Sequence, residues 1–184
     1  MHRESNNRGF TVVEILISST LAAMLLIAML NTYFFLARQL TKANNLQEME
    51  YRSRIALGLL NRDFETASAI GSSPTSSTLS LTVPSGSVTY TYDSVGRTLT
   101  RVATFGAFRS REFFRGDCYE FTFTYFSTTG TSVLSGTSLV PLGVKRIGAA
   151  FTLRRGNAAI GTFSELKSST GRVLMRNKAL PTGT

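Results

Sequence analysis

From Phe10 to Ala37 the chain is almost continuously apolar, and its only formal charge in that stretch is Glu14. These 28 residues reach about 42 Å as a helix, and a bilayer core needs about 30 Å, so a spanning helix is predicted over 10–37. No Gly or Pro occurs between Phe10 and Leu57. Charges resume at Arg38, while apolar residues continue through Leu46, Met49, Ala56, Leu60, Phe64 and Ala67, with Ile55 and Leu59 widening the stripe. Steps of three, four or seven mark one face of an amphipathic helix, predicted over 38–70. Together the two stretches make a single helix on the order of 90 Å long. Gly58 interrupts the second stretch and weakens it by roughly 1 kcal/mol relative to Ala. A flex point or the close approach of a strand would account for it.

Beyond Ile70 the pattern changes period. Gly71–Thr78 is a loop by composition, and short β-prone runs follow at Leu79–Val83, Ser87–Tyr92, Thr98–Ala103, Tyr119–Phe126, Val144–Arg154 and Gly171–Met175. Asp93 and Gly96 at turn-like spacing predict a hairpin joining the second and third runs. In Tyr119–Phe126 apolar and polar residues alternate, which predicts one face of Tyr119, Phe121, Phe123 and Tyr125 lying on the helix stripe. Ser127–Gly143 reads as a long Ser/Thr/Gly loop. The fold class is therefore α+β: a leader over 1–9, an apolar helix over 10–37, an amphipathic helix over 38–70 and a β-rich head over 71–184.

Composition adds two constraints. Net charge is +9, and removing residues 1–9 takes two Arg and one Glu and leaves +8. Such a balance attracts nucleic acid, anionic lipid or acidic proteins, and equally describes an ordinary solvated surface. Cys118 is the only cysteine, so no intramolecular disulfide forms. It is either a small buried hydrophobe or a partner for another chain.

The order of leader and apolar run carries the most specific signal. A secretory signal places its cleavage site after the apolar stretch. Here the candidate site, Arg8-Gly9 before Phe10-Thr11-Val12-Val13-Glu14, precedes it, so cleavage leaves the anchor on the mature chain. Arg3 and Arg8 put the N-terminus on the cytoplasmic side, so the head of this single-pass chain is expected outside the cytoplasm. This motif resembles the prepilin leader of type IV pilins and type II secretion pseudopilins. The resemblance implies that prepilin peptidase cuts after Gly9 and methylates the amine of Phe10. It also implies the pilin fold, in which a long N-terminal helix packs on a small antiparallel sheet.

Glu14 has two readings from the residues alone. An ionisable group in an apolar span needs a partner, which the new amine of a neighbouring subunit supplies, setting axial register. Alternatively the carboxylate snorkels to the headgroups. The resemblance implies the first. Leu59-Leu60-Asn61-Arg62-Asp63-Phe64-Glu65-Thr66-Ala67, the run from Val88 to Arg101 and the terminal Val173-Leu174-Met175-Arg176-Asn177 resemble J-type pseudopilins and W-type minor pilins. That implies a subunit that helps initiate or cap a filament. Its partners would be other minor subunits, the major subunit and the inner-membrane assembly platform. The absence of Pro from the membrane half of the helix favours a minor subunit.

Enzyme chemistry finds no support. The only histidine, His2, lies in the leader, which removes His-based acid–base, nucleophilic and metal-ligating roles from the mature chain. No Gly-rich phosphate loop or calcium-loop pattern occurs, and no cofactor or metal is expected. One segment has a different reading. Phe105–Gly116 interleaves aromatics with Arg109, Arg111 and Arg115, a combination that stacks bases and neutralises phosphates. It supports a DNA-binding pilin for DNA uptake as the alternative. The competing description is an edge loop with packed Phe and solvated Arg.

Overall fold

The structure, a computed structural model, describes residues 10–105, 107–133 and 143–178. The chain divides into two compact units, one ending at Thr41 and the other beginning at Lys42. A single helix, α1 (Val12–Thr66), contributes to both. Among the described residues it is the one helix long and apolar enough to cross a membrane, and its most apolar stretch is unburied by the chain itself. Within the first unit, Ser19, Thr20, Thr32 and Thr41 donate their hydroxyls to carbonyls three or four residues earlier in the helix. Their polarity is thus absorbed by the helix itself.

The second unit holds the C-terminal part of α1 and, among the described residues, ten strands, β1 (Ala69–Ile70), β2 (Thr78–Val83), β3 (Gly86–Asp93), β4 (Thr98–Phe105), β5 (Ala107–Phe113), β6 (Cys118–Phe126), β7 (Ser132–Val133), β8 (Arg146–Arg155), β9 (Ser164–Ser169) and β10 (Val173–Leu174). The first five form an antiparallel meander in chain order. The second sheet runs β10-β8-β6-β7, with β9 also paired to β8. This is an α+β architecture with the helix packed against antiparallel sheets.

Helix periodicity explains the core. Met49, Ser53, Ala56, Leu60, Asp63 and Phe64 are the buried residues of α1, spaced to keep one stripe facing inward. Phe64 meets Tyr90 of β3 and Phe123 of β6 edge-on at 6.5 and 6.3 Å, and those two rings lie 6.2 Å apart. One aromatic triangle therefore joins the helix to both sheets, in the T-shaped geometry that ring quadrupoles favour. The loop before β2 sews the sheets together, since the Tyr125 hydroxyl donates to the Thr75 carbonyl at 2.6 Å and the Phe123 N–H to that of Ser76.

Four sequence expectations are corrected. The helix ends at Thr66, and Ala69–Ile70 pairs with Thr82–Leu81 as a strand. Tyr119 faces solvent at 40% exposure, because a register shift between Cys118 and Glu120 turns Cys118 inward in its place. Gly58 is exposed with nothing near its Cβ position, which removes close packing as its explanation. The segment read as an edge loop is β5, a full edge strand. Cys118 is buried and free, as the small-hydrophobe reading has it. Burial, with the Asp117 charge adding to it, pushes its thiol up to about 12, so at neutral pH it is an inert thiol.

Candidate assembly site

Gly9 lies outside the described residues. Phe10, at the start of the described chain, is 78% exposed. Thr11 is the N-cap of α1 and Glu14 its third residue. The Glu14 N–H donates to Thr11 Oγ1 at 3.3 Å, and Glu14 Oε2 accepts from the Thr11 N–H at 3.3 Å and its hydroxyl at 3.4 Å. This reciprocal pair is a capping box. It satisfies two of the N–H groups that a helix start leaves without partners, and puts a carboxylate at the positive end of the helix dipole. The signal Thr11-x-x-Glu14 is present in the sequence, within the residues read above as a candidate cleavage motif. A carboxylate has about four lone-pair sites, and these two bonds engage only Oε2. Glu14 can therefore keep its cap and accept a cation from another chain.

In the head, the residue that sequence reasoning left as motif alone is Asp63. Its Oδ2 accepts from the Tyr90 hydroxyl and from Arg101 Nε, both at 2.7 Å. Asp63 and Arg101 are almost wholly enclosed. Burial and the Asp63 charge raise the Tyr90 pKa, keeping the phenol a donor. Burial works to lower the Arg101 pKa, but the hydrogen bond and charge of Asp63 outweigh it and hold the guanidinium charged. The network ties α1 to β3 and β4, and no sequence spacing announces it.

The end of α1 is closed by the C-terminal segment. The Arg176 N–H donates to the Glu65 carbonyl at 3.1 Å and Asn177 Nδ2 to that of Thr66 at 3.1 Å. Met175 beside them is fully buried. Two of the motifs noted in the sequence, at 59–67 and 173–177, thus meet across the head.

The arginine segment divides. Alternation along β5 puts Arg109 and Arg111 on one side, opposite Ala103 and Arg101 in the ladder, and both are exposed. Arg115 lies in the following turn, 3.6 Å from Glu112. Phe113 and Phe114 are buried, so neither offers a ring face to a base. Among the described residues no group of three or more His, Cys, Asp or Glu side chains is placed to hold a metal ion. No family model, curated protein or solved structure matches the chain.

Proposed function

We propose that this chain is a type IV pilin-like subunit of the J/W kind, a minor pilin or pseudopilin that helps initiate or cap a filament. The observation that carries the reading is the order Gly9, Phe10, capping box, apolar helix. A peptidase that cuts before the apolar stretch leaves that stretch on the mature chain, with a new amine one helical turn from Glu14. In support, α1 runs unbroken from that point into a β-rich head. Membrane insertion holds the subunit in the inner membrane until assembly, with its N-terminus cytoplasmic. The apolar helix then exchanges lipid for neighbouring helices.

Mass spectrometry of the chain co-expressed with prepilin peptidase tests this reading. The expected product lacks residues 1–9 and carries one added methyl on Phe10, and Gly9→Val leaves the precursor whole. An uncut chain, or one cut after the apolar stretch, overturns it.

A second reading is a DNA-binding pilin-like subunit, favoured by Arg109 and Arg111, which share a face and pair with no carboxylate among the described residues. It expects binding of single-stranded DNA that falls steeply with salt and disappears when Arg109, Arg111 and Arg115 are changed together. No binding at low salt ends it.

A further inference from the structure

Most arginines of the head face a carboxylate. Arg52 and Arg155 flank Asp117, Arg54 pairs with Glu50, Arg101 with Asp63, Arg154 with Glu165 and Arg176 with Glu65. Arg146 and Arg172 pair with none among the described residues, yet they converge. A methyl group at Gly130 would sit 3.7 Å from the Nη1 atoms of both. The two Nη1 atoms therefore lie within twice that distance of each other, where like charges repel unless a counter-charge lies between them. Arg172 is also held in place, its guanidinium 4.4 Å from the Phe126 ring centre, a cation–π placement. Phe126 is the β6 residue directly opposite Arg146.

The floor between them is the Ser127–Thr131 turn, closed by the Ser127 N–H donating to the Thr131 carbonyl at 2.9 Å. Gly130 has φ +87° there, a conformation that L side chains rarely adopt, so position 130 itself puts no side chain into the approach. Ser127, Thr129 and Thr131 form a hydroxyl ladder with steps of 2.8 and 3.2 Å. Two bonds consume two of three hydroxyl hydrogens, and the third remains to be donated outward.

We propose that Arg146, Arg172 and this turn form an oxyanion site, whose occupant is the carboxylate of an acidic side chain on a neighbouring protein subunit. Guanidinium forks match a carboxylate's two oxygens, and the chain's excess of positive charge suits an acidic partner face. The partner's being a subunit rests on the reading above; the site itself stands on its own geometry.

The test uses the full chain in detergent micelles at low salt. The side-chain Nε–H signals of its arginines are followed by NMR during titration with hexaglutamate, inorganic phosphate or a short single-stranded oligonucleotide. Saturable shifts confined to Arg146 and Arg172 are expected with hexaglutamate, and phosphate should compete for them. R146Q and R172Q should each weaken the peptide about tenfold or more, the loss of one charge-assisted fork. R146K, which keeps the charge, should fall between, and R109Q should stay near wild type. Unchanged signals elsewhere show that the variants fold. Two outcomes overturn the proposal: all exposed arginines shifting together without saturation, or saturation by the oligonucleotide or phosphate but not by hexaglutamate. Neither depends on processing at Gly9, so this test and the mass-spectrometric one fail separately.

Discussion

The two parts of α1 both carry large apolar residues, and this chain covers them differently. Up to Thr41 its large apolar side chains are exposed almost without exception, Leu25, Leu26 and Ile27 among them. From Met49 onward a stripe of the same helix is enclosed by strands of the same chain. An exposed Leu is ordinary on a protein surface, but a contiguous apolar face of this extent marks contact with membrane or protein. This chain covers a stripe of the second part by itself and leaves the first part uncovered. Substitutions in the second part should therefore register in the isolated protein, and those in the first should register only in a membrane or an assembly.

The largest contrast is expected between Phe64 and Leu25. Phe64→Ala removes the ring that joins the helix to both sheets, and should cost about 3–5 kcal/mol of head stability. Asp63→Ala, which leaves the buried Arg101 charge and the Tyr90 hydroxyl without their acceptor, should cost a similar about 3–5 kcal/mol. Leu25→Ala should move the same transition by less than about 0.5 kcal/mol. Denaturant unfolding in detergent, read by the near-UV circular dichroism of the head tyrosines, measures all three. Comparable losses from Leu25→Ala and Phe64→Ala would erase the distinction between the two parts.

A pH experiment sharpens the enclosed side. The Cys118 thiol is raised from an ordinary 9.0 to about 12 in the fold. A group whose folded pKa is raised contributes stability that is fully present below its unfolded pKa and lost as pH climbs through the folded one. Wild type should therefore lose stability between pH 9 and about 12 more steeply than Cys118→Ala, by up to about 1.4 kcal/mol per pH unit. Tyrosine burial lowers both curves alike, apart from Tyr92, whose pKa is raised by burial and also by the Cys118 charge, so the difference reports the thiol together with that coupling. At pH 8 a thiol reagent should leave the native protein untouched and modify it fully in denaturant. Rapid native labelling would return Cys118 to the surface as a candidate for pairing between chains.

At the other end, Glu14 has one observed role, the cap, and one proposed role, axial register, which one pair of variants separates. Glu14→Gln keeps an oxygen for the Thr11 N–H, because Gln serves a capping box as Glu does. Glu14→Ala abolishes the cap and should loosen the first turn by about 0.5–2 kcal/mol. If the carboxylate meets a neighbour's amine, both variants are cleaved normally and both fail to enter filaments. Normal incorporation of Glu14→Gln alone would assign the residue to capping, and would remove register from its duties.

Which of these features could be read in advance follows from the range over which each is determined. The apolar run, the stripe from Met49 to Phe64 and the hairpin between β3 and β4 are set by neighbours within a turn or two, and the sequence shows them plainly. β5 and β9 were missed for a common reason. Their side chains, Arg-Ser-Arg-Glu in one and Ser-Glu-Leu-Lys-Ser-Ser in the other, carry no apolar alternation, and they are strands because β4 and β8 offer them hydrogen bonds. Tyr119 was misplaced because a bulge slips the alternation by one residue. The Asp63 network joins residues 27 and 38 positions apart, a distance no local pattern spans. At the N-terminus the cap Thr11-x-x-Glu14 is equally local and equally legible, but the same residues drew the reading toward processing.

The smallest effect tests where the boundary between the two parts of α1 is firm. Gly58 lies on the enclosed half but faces outward, with nothing within 4 Å of the position a Cβ would take. Were it there to admit a strand, a methyl group would collide and Gly58→Ala would destabilise the head. With open space around it, the methyl meets no resistance, and the substitution removes backbone freedom from the unfolded chain instead. Gly58→Ala should therefore raise head stability by about 0.5–1 kcal/mol. A gain in stability accompanied by loss of assembly would show that the helix needs to bend at this point when neighbouring subunits pack on it. A gain with assembly intact would make Gly58 a weakness that the enclosed stripe, two residues either side of it at Ala56 and Leu60, is strong enough to tolerate.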